Sequence, residues 1–295
     1  MFSSFSKRLW KSIGACGLAL AFFQLTAPAQ AEPSVQNTHL LSIGICPPWK
    51  PQPASACEKS VEATGKGLTQ RLGIPDQNWH KLLNEQATRK GLFEKLSDLS
   101  GILGPDDRLI IYANLHAGSL DPSKPAGPDN DVFVLWSEEK PEVMAFAVAQ
   151  GLWIEAKTFA GRVHRIPAGE VIVVMDSCEA GAVAPLFIDI HPDDDETRPE
   201  AVVTSAEFNQ FANMSSDGSM ALYSEMLGNV LKTQNGLLSD ALSKAASLTE
   251  TAAVPICKKQ ADALKKYGQA SNACNQQPAT HDPQNILSKL QLNAL

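Results

Sequence analysis

The sequence predicts an α/β protein built on a mainly parallel sheet, and three observations lead to that class. Short, continuous apolar runs alternate along the chain with longer segments that have helical periodicity. Parallel strands are buried on both faces, so they read as continuous apolar runs. The length of 295 residues, of which 44% are hydrophobic, allows a substantial core to be buried.

The first 31 residues are predicted to be a signal peptide. Lys7, Arg8 and Lys11 form a basic start, an apolar stretch follows at 13–25, and Ala29-Gln30-Ala31 supplies small residues where a signal peptidase reads them. Cleavage is therefore predicted between Ala31 and Glu32, which implies a periplasmic or secreted protein. An uncleaved anchor is the minor alternative, because the stretch is short for a membrane span.

After residue 32, strands and helices alternate. Gly73 and Pro75 stop the first predicted helix. The second places Leu92, Leu96 and Leu99 on one face. The predicted strands are 40–45, 108–112, 132–136, 171–175 and 201–204. The predicted helices are 57–72, 87–99, most of 141–163, 219–231 and 237–248. The predicted loops are 47–53, 120–131 and the acidic segment 189–200.

The charge of the chain argues against a nucleic-acid partner. The full sequence has a net charge of -7. Without the three basic residues of the signal peptide it keeps 22 basic against 32 acidic residues, a net charge of -10. Phosphate binding needs clustered Lys and Arg, so this acidic chain is not expected to bind nucleic acid. No second hydrophobic span follows the signal peptide, so no membrane association is expected after cleavage.

Five of the six cysteines remain in the predicted mature chain. Cys46 and Cys57 bracket a Pro-rich loop, and Cys257 and Cys274 bracket a short helical stretch near the C-terminus. In an oxidising compartment these pairs favour two disulfides, although free thiols are the alternative. Cys178 has no nearby partner and is the candidate free thiol.

Two predicted strand ends carry groups that could act together chemically. His116 follows strand 108–112, and Cys178 follows strand 171–175. In open α/β sheets reactive groups collect beyond the carboxyl ends of the strands. An imidazole can take the proton of a thiol and later protonate a leaving amine, so the two residues form a candidate nucleophile and base. The alternatives are a buried core thiol and a hydrogen-bonded histidine near the surface.

These segments resemble the signatures of caspase-like cysteine peptidases, in particular the metacaspase-like bacterial branch of the caspase/gingipain clan. Asn114-Leu115-His116-Ala117-Gly118 is similar to the histidine signature, and Asp176-Ser177-Cys178 is similar to the nucleophile signature. Their separation of 62 residues is close to the spacing in caspases. Further similarity lies in the first strand at 40–45, in the Asn-Glu-Gln-Ala-Thr of 84–88, and in 202–206 and 219–227. Coverage is about residues 39–250, which leaves a C-terminal extension at about 250–295.

The resemblance implies a caspase-like three-layer α/β/α sandwich and assigns roles to particular residues. Cys178 would be the nucleophile and His116 the general base and acid, with an oxyanion hole formed by the backbone N–H groups of Cys178 and Ala117. Asp176 would lie in the floor of a substrate pocket that selects Arg or Lys, although the alternative is a carboxylate that caps the following turn. No cofactor would be required.

The chain departs from the family pattern at several positions. Ala117 stands where the family usually has Gly, and Asn114 where it usually has Ser. Ser60 replaces the Asp that would supply a second pocket carboxylate. Glu179 follows the nucleophile directly and would oppose thiolate formation if its carboxylate pointed inward.

The sequence therefore predicts a secreted or periplasmic cysteine endopeptidase whose partner is a peptide or protein substrate. The alternative is a caspase-fold protein without turnover that binds or scaffolds, which the departures motivate. The acidic runs at 129–131 and 193–196 raise a calcium hypothesis, because hard oxygen ligands suit that ion. Neither run has the spaced pattern of a dedicated calcium loop, so solvated loops are favoured. The sequence leaves the oligomeric state open.

Overall fold

A six-stranded sheet forms the centre of the computed structural model, which describes residues 33–121, 123–143, 146–188, 198–266, 270 and 273–294. The strands are β1 (Thr38–Gly44), β2 (Trp79–Leu83), β3 (Arg108–Asn114), β4 (Ala117–Ser119), β5 (Asp131–Val134), β6 (Trp153–Glu155), β7 (Glu170–Asp176), β8 (Glu200–Thr204), β9 (Gly236–Leu237), β10 (Ala279–His281) and β11 (Gln291–Leu292). The helices are α1 (Ala54–Leu72), α2 (Arg89–Ile102), α3 (Ala156–His164), α4 (Pro185–Ile188), α5 (Leu222–Leu231) and α6 (Leu238–Lys266). The predicted signal peptide and the acidic run 193–196 lie outside the described residues.

The central sheet has the strand order β10-β8-β7-β3-β1-β2. Five of these strands are parallel, and β10 joins the edge in the antiparallel direction. All seven residues of β3 and of β7 are buried, which explains their apolar character, since both faces of the sheet are covered. The predicted mainly parallel sheet is confirmed.

Helices cover both faces of this sheet. On one face α1, α5 and α6 enclose a cluster that includes Leu68 and Leu227, and on the other α2, α3 and α4 enclose a cluster that includes Leu96 and Phe159. The fold is therefore the predicted three-layer α/β/α sandwich. Among the described residues, no helix is both long enough and apolar enough to span a membrane.

A second, three-stranded antiparallel sheet of order β4-β5-β6 starts directly after His116. It corrects the prediction that 141–163 is mostly helical, because Trp153–Glu155 is strand β6 and the helix is confined to Ala156–His164. Gly151 adopts a left-handed backbone (φ 76°), which a helix cannot continue through. The apolar residues Trp153 and Ile154 are buried on β5 rather than on a helix face.

Two strands of the central sheet were not predicted, and both lie at its edges. Strand β2 carries exposed Lys81, and Leu82 alone of its five residues is buried, so it lacks the continuous apolar run of a central strand. Strand β10 comes from the predicted C-terminal extension, and α6 extends beyond the predicted end at residue 248. The C-terminal residues thus take part in the main sheet.

Candidate active site

His116 and Cys178 leave the central sheet side by side. Strands β3 and β7 are neighbours, and the last residue of each, Asn114 and Asp176, are partners in the parallel register. His116 and Cys178 each lie two residues beyond this pair, at the same edge of the sheet. The prediction that the two strand ends meet is therefore consistent with the observed topology.

Both residues line one small pocket with a volume of about 50 Å³. Its walls come from the loop after β1, the start of α1, the ends of β3 and β7, and the loop between β8 and α5. The lining residues are Cys46, Gln52, Ala56, Cys57, Asn114, Leu115, His116, Asp176, Ser177, Cys178, Ala212, Asn213, Met214 and Ala221.

The backbone of His116 is fixed by a hydrogen bond, and its imidazole is uncharged at neutral pH. The carbonyl of His116 accepts a hydrogen bond from the N–H of Val134 at 2.9 Å, which fixes the residue to the second sheet. Burial, together with the nearby Lys50 ammonium, lowers the pKa of His116 to about 4. Within the described part of the chain its buried Nε2 has no hydrogen-bond partner. A neutral imidazole with a free nitrogen can accept a proton.

Cys178 is the free cysteine of the described residues, and the residue as a whole is partly buried. Burial raises the pKa of its thiol, and the carboxylates of Glu179 and Asp176 raise that pKa further. The N–H of Ala212 donates a hydrogen bond to the sulfur and lowers the thiol pKa, as does the charge of Lys50. Glu179 therefore opposes thiolate formation, as the sequence indicated.

Glu179 adopts a left-handed backbone (φ 55°) directly after the thiol, at the point where the chain turns sharply away from β7. A non-glycine residue in this conformation stores strain, which is often found at functional sites. Glu179 is half-buried, and burial raises the pKa of its carboxyl group, as does the nearby Asp131.

The two predicted disulfides are both present. Cys46 and Cys57 are bonded with their Cα atoms 5.7 Å apart, and Cys257 and Cys274 with their Cα atoms 5.1 Å apart. Both cysteines of the first bond line the pocket, and the bond closes the loop 47–56 beside it. Two disulfides are compatible with an oxidising compartment.

Asp176 and Asn114 lie at the base of the pocket. The Asp176 side chain is 1% exposed and accepts a hydrogen bond from the Ser224 hydroxyl, which also contacts Tyr112. Burial raises the pKa of Asp176 despite this hydrogen bond. The Asn114 amide donates to the Asp176 carbonyl at 3.2 Å, so it links the two strand ends. Both residues line the pocket.

Ser60 does not reach the pocket. It is fully buried in α1, donates a hydrogen bond to the carbonyl of Ala56 and accepts one from the N–H of Ala221 at 3.0 Å. Because Ala221 precedes α5, this serine joins α1 to α5. Its side chain offers no carboxylate to a substrate.

The N–H of Ala117 is free of the small sheet. In an antiparallel pair of strands, opposite residues alternate between pairs that exchange hydrogen bonds and pairs that do not. The N–H of Val134 donates to the carbonyl of His116, so the next opposite pair, Ala117 and Phe133, exchanges no hydrogen bonds. The Ala117 N–H consequently faces away from β5. An oxyanion donor requires such an uncommitted N–H group.

Lys50 was missed by the sequence reasoning. It lies in the loop closed by the first disulfide, and its ammonium acts electrostatically on both His116 and Cys178. Burial lowers the pKa of Lys50 itself. The rule that loops after parallel strands share one edge would have drawn attention to this loop, which follows β1.

Replacing Lys50 with methionine is expected to slow alkylation of Cys178 by iodoacetamide at pH 8. Without the ammonium the thiol pKa rises, so less thiolate is present. The rate should fall by a factor of about two to five, which corresponds to the free energy typical of partly exposed charge pairs. The Lys50→Arg variant keeps the charge and should retain the wild-type rate. An unchanged rate in Lys50→Met would contradict this role.

The described residues contain no group of three or more His, Cys, Asp or Glu side chains placed to hold a metal ion. In the 129–131 run, the Asn130 amide donates to the carbonyls of Asp121 and Pro125, and Asp131 accepts from the N–H of Gly127. These side chains organise their own loop.

Comparison with known proteins gives a fold but no family. No family model matches the sequence, and no curated protein matches it. Among solved structures, the protein GSU0716 from Geobacter sulfurreducens matches with a TM-score of 0.50 and 14% identity, over 72% of this chain and 88% of that one. At this identity the likeness shows the fold alone.

Caspase-1 from Spodoptera frugiperda also matches, with a TM-score of 0.41 and 10% identity, over 87% of this chain and 90% of that one. We draw nothing from a score this low.

Proposed function

We propose that the protein is a caspase-like cysteine endopeptidase in which Cys178 and His116 hydrolyse peptide bonds. The observation that carries the proposal is that a free thiol and a neutral imidazole, delivered by adjacent parallel strands, line one pocket. The resemblance of the two segments to the caspase-like signatures gives the same assignment.

In the proposed reaction the sulfur of Cys178 attacks the carbonyl carbon of the peptide bond while His116 takes the thiol proton. The carbonyl oxygen becomes negative and is stabilised by the N–H groups of Cys178 and Ala117. The imidazolium then protonates the departing amine, and a thioester remains on Cys178. Water, activated by the neutral imidazole, hydrolyses this thioester and restores the thiol.

The protonation states favour a dyad that starts neutral. The pKa of His116 lies near 4 and that of Cys178 above its usual value, so at pH 7 the imidazole is free to accept the proton. In such a pair the thiol is deprotonated as the sulfur attacks, and no thiolate–imidazolium ion pair is present in the resting enzyme.

Asp176 supports a preference for Arg or Lys on the amino side of the cleaved bond. Asp176 is one of the residues that line the pocket, its buried Oδ1 has no hydrogen-bond partner among the described residues, and Ser60 adds no second carboxylate. With one pocket carboxylate, the discrimination in favour of basic residues should be moderate.

We further propose that the protein acts outside the cytoplasm, after cleavage between Ala31 and Glu32. The two disulfides support an oxidising compartment. The substrate is then an extracellular or periplasmic peptide or protein, and no cofactor takes part in the reaction.

A second candidate function is a caspase-fold binding or scaffolding protein without turnover. It is favoured by the raised pKa of the Cys178 thiol, to which Glu179 contributes. A raised pKa leaves less thiolate at neutral pH and so reduces the reactivity of the nucleophile.

A panel of fluorogenic peptides that differ only in an Arg, Lys or Asp before the cleaved bond tests the proposal. We expect hydrolysis of the Arg and Lys peptides by the wild type and none by Cys178→Ala. Cleavage of the Asp peptide with the basic ones ignored would exclude the assigned role of Asp176. If no peptide is cleaved and the thiol is unreactive, the binding-protein alternative is supported.

A further inference from the structure

The C-terminal segment 273–277 holds the loop that forms one wall of the pocket. The N–H of Phe211 donates to the carbonyl of Ala273 at 2.6 Å, and the N–H of Asn213 donates to Gln276 Oε1 at 2.7 Å. The Asn213 side chain also donates to the carbonyl of Cys274 at 3.0 Å. Both neighbours of Ala212 are thereby fixed to this segment.

Ala212, between these two anchored residues, lines the pocket together with Cys178. Its N–H acts as a hydrogen-bond donor that lowers the pKa of the Cys178 thiol. Because the N–H groups of Phe211 and Asn213 are both bound to the C-terminal segment, that segment fixes the backbone that carries the Ala212 N–H.

The same segment contacts the turn that carries the nucleophile through Gln210. The carbonyl of Gln210 accepts from the N–H of Glu179 at 2.8 Å. The Gln210 side chain accepts from the N–H of Gln277 at 2.8 Å and donates to the Gln277 side chain at 2.6 Å. Residues 273–277 thus support Cys178 from two directions.

Burial and a covalent bond make this support rigid. Cys274 and Gln276 are fully buried, and the disulfide joins Cys274 to Cys257 in α6. Oε1 of Gln276 accepts from both the N–H and the side chain of Asn213, whereas its buried Nε2 has no partner among the described residues. Burying the unpaired Nε2 costs free energy, and only Oε1 forms hydrogen bonds. The contribution of Gln276 to holding the loop therefore comes from its acceptor oxygen.

We propose that residues 273–277, anchored to α6 by the Cys257–Cys274 disulfide, hold the loop 210–213 against the turn that carries Cys178 and thereby govern the reactivity of that thiol, with Gln276 as the positioning residue. The proposal rests on the proposed function, in which Cys178 is the nucleophile.

The test measures the rate of Cys178 alkylation by iodoacetamide between pH 7 and 10.5 in the full mature chain. The variant Gln276→Met removes the acceptor and keeps a side chain of similar length. The variants leave unchanged the charged and titratable groups that act on the pocket, which are Lys50, His116, Asp176 and Glu179. Gln70→Met, at an exposed glutamine of α1, is the matched control, and Cys178→Ala identifies the labelled site.

We expect Gln276→Met to slow alkylation at pH 8 about tenfold and to move the midpoint of the pH profile upward by about one unit, since the loop that carries the Ala212 N–H is no longer held beside the thiolate. Gln70→Met should not change the midpoint. A wild-type midpoint in folded Gln276→Met would overturn the proposal.

If Gln276→Met does not fold, the double variant Cys257→Ser/Cys274→Ser decides. A raised midpoint then supports the proposal, and an unchanged one overturns it. A failure of the positioning role can be distinguished from a failure of the proposed peptidase function. Wild-type peptide hydrolysis with no effect of Gln276→Met refutes only the positioning role, whereas shifted alkylation with no hydrolysis by any form refutes only the peptidase.

Discussion

Replacing Cys178 with alanine is expected to lower kcat/KM for a basic peptide substrate by roughly four orders of magnitude or more, as removal of a catalytic nucleophile does in other hydrolases. The oxyanion donors and the pocket remain, but no atom is left to form the thioester. The measurement is the initial rate of hydrolysis of an Arg peptide at pH 7.5.

Folding should survive the Cys178→Ala change, because the residue is only partly buried, forms no disulfide and is replaced by a smaller apolar side chain. Equal thermal unfolding midpoints for the two proteins would establish this control. Hydrolysis by Cys178→Ala at a rate close to that of the wild type would show that the activity belongs to another group.

Replacing His116 with alanine is expected to lower kcat/KM by about 10² to 10⁴, the usual contribution of a general acid–base group. The wild-type pH profile should have its acid limb near pH 4. The imidazole accepts protons above its pKa of about 4 and is already protonated below it, so activity is lost as the pH falls through that value.

The acid limb distinguishes His116 from a residue that only supports the fold. It should disappear in His116→Ala and be retained in His281→Ala, a control in edge strand β10 outside the pocket. An acid limb near pH 6.5 in the wild type would contradict the buried, Lys50-facing imidazole described above.

Much of the site could be predicted from the sequence because the rules that place it are local. A strand that is apolar throughout is central, and its carboxyl end lies at the edge where loops meet. This is sufficient to bring His116 and Cys178 to one edge. The two disulfides were also predicted, since each pair of cysteines brackets a short segment.

The remainder of the site depends on contacts between distant parts of the chain. Lys50 acts on Cys178 only because the first disulfide closes its loop beside the pocket. Ala212 and Gln276 belong to segments that meet through backbone and amide hydrogen bonds, which leave no pattern in the composition. Ser60 shows the converse, since alignment with a family motif indicated a pocket position that the structure gives to helix packing.

The error at 141–163 has a similar cause. Apolar residues over this stretch fit a helix, but Gly151 and pairing with β5 convert part of it into a strand. Periodicity alone does not separate a short buried strand from a turn of buried helix.

Covalent capture of Cys178 by a substrate-like inhibitor separates a cysteine peptidase from a protein without turnover. The mature protein would be incubated with a peptidyl acyloxymethyl ketone that carries Arg at the reactive end, and its intact mass would be measured. We expect one thioether adduct, located at Cys178 by peptide mapping, absent from Cys178→Ala and formed much more slowly by His116→Ala. A folded wild-type protein that forms no adduct, or forms it at another residue, would exclude Cys178 as the nucleophile of such a peptidase.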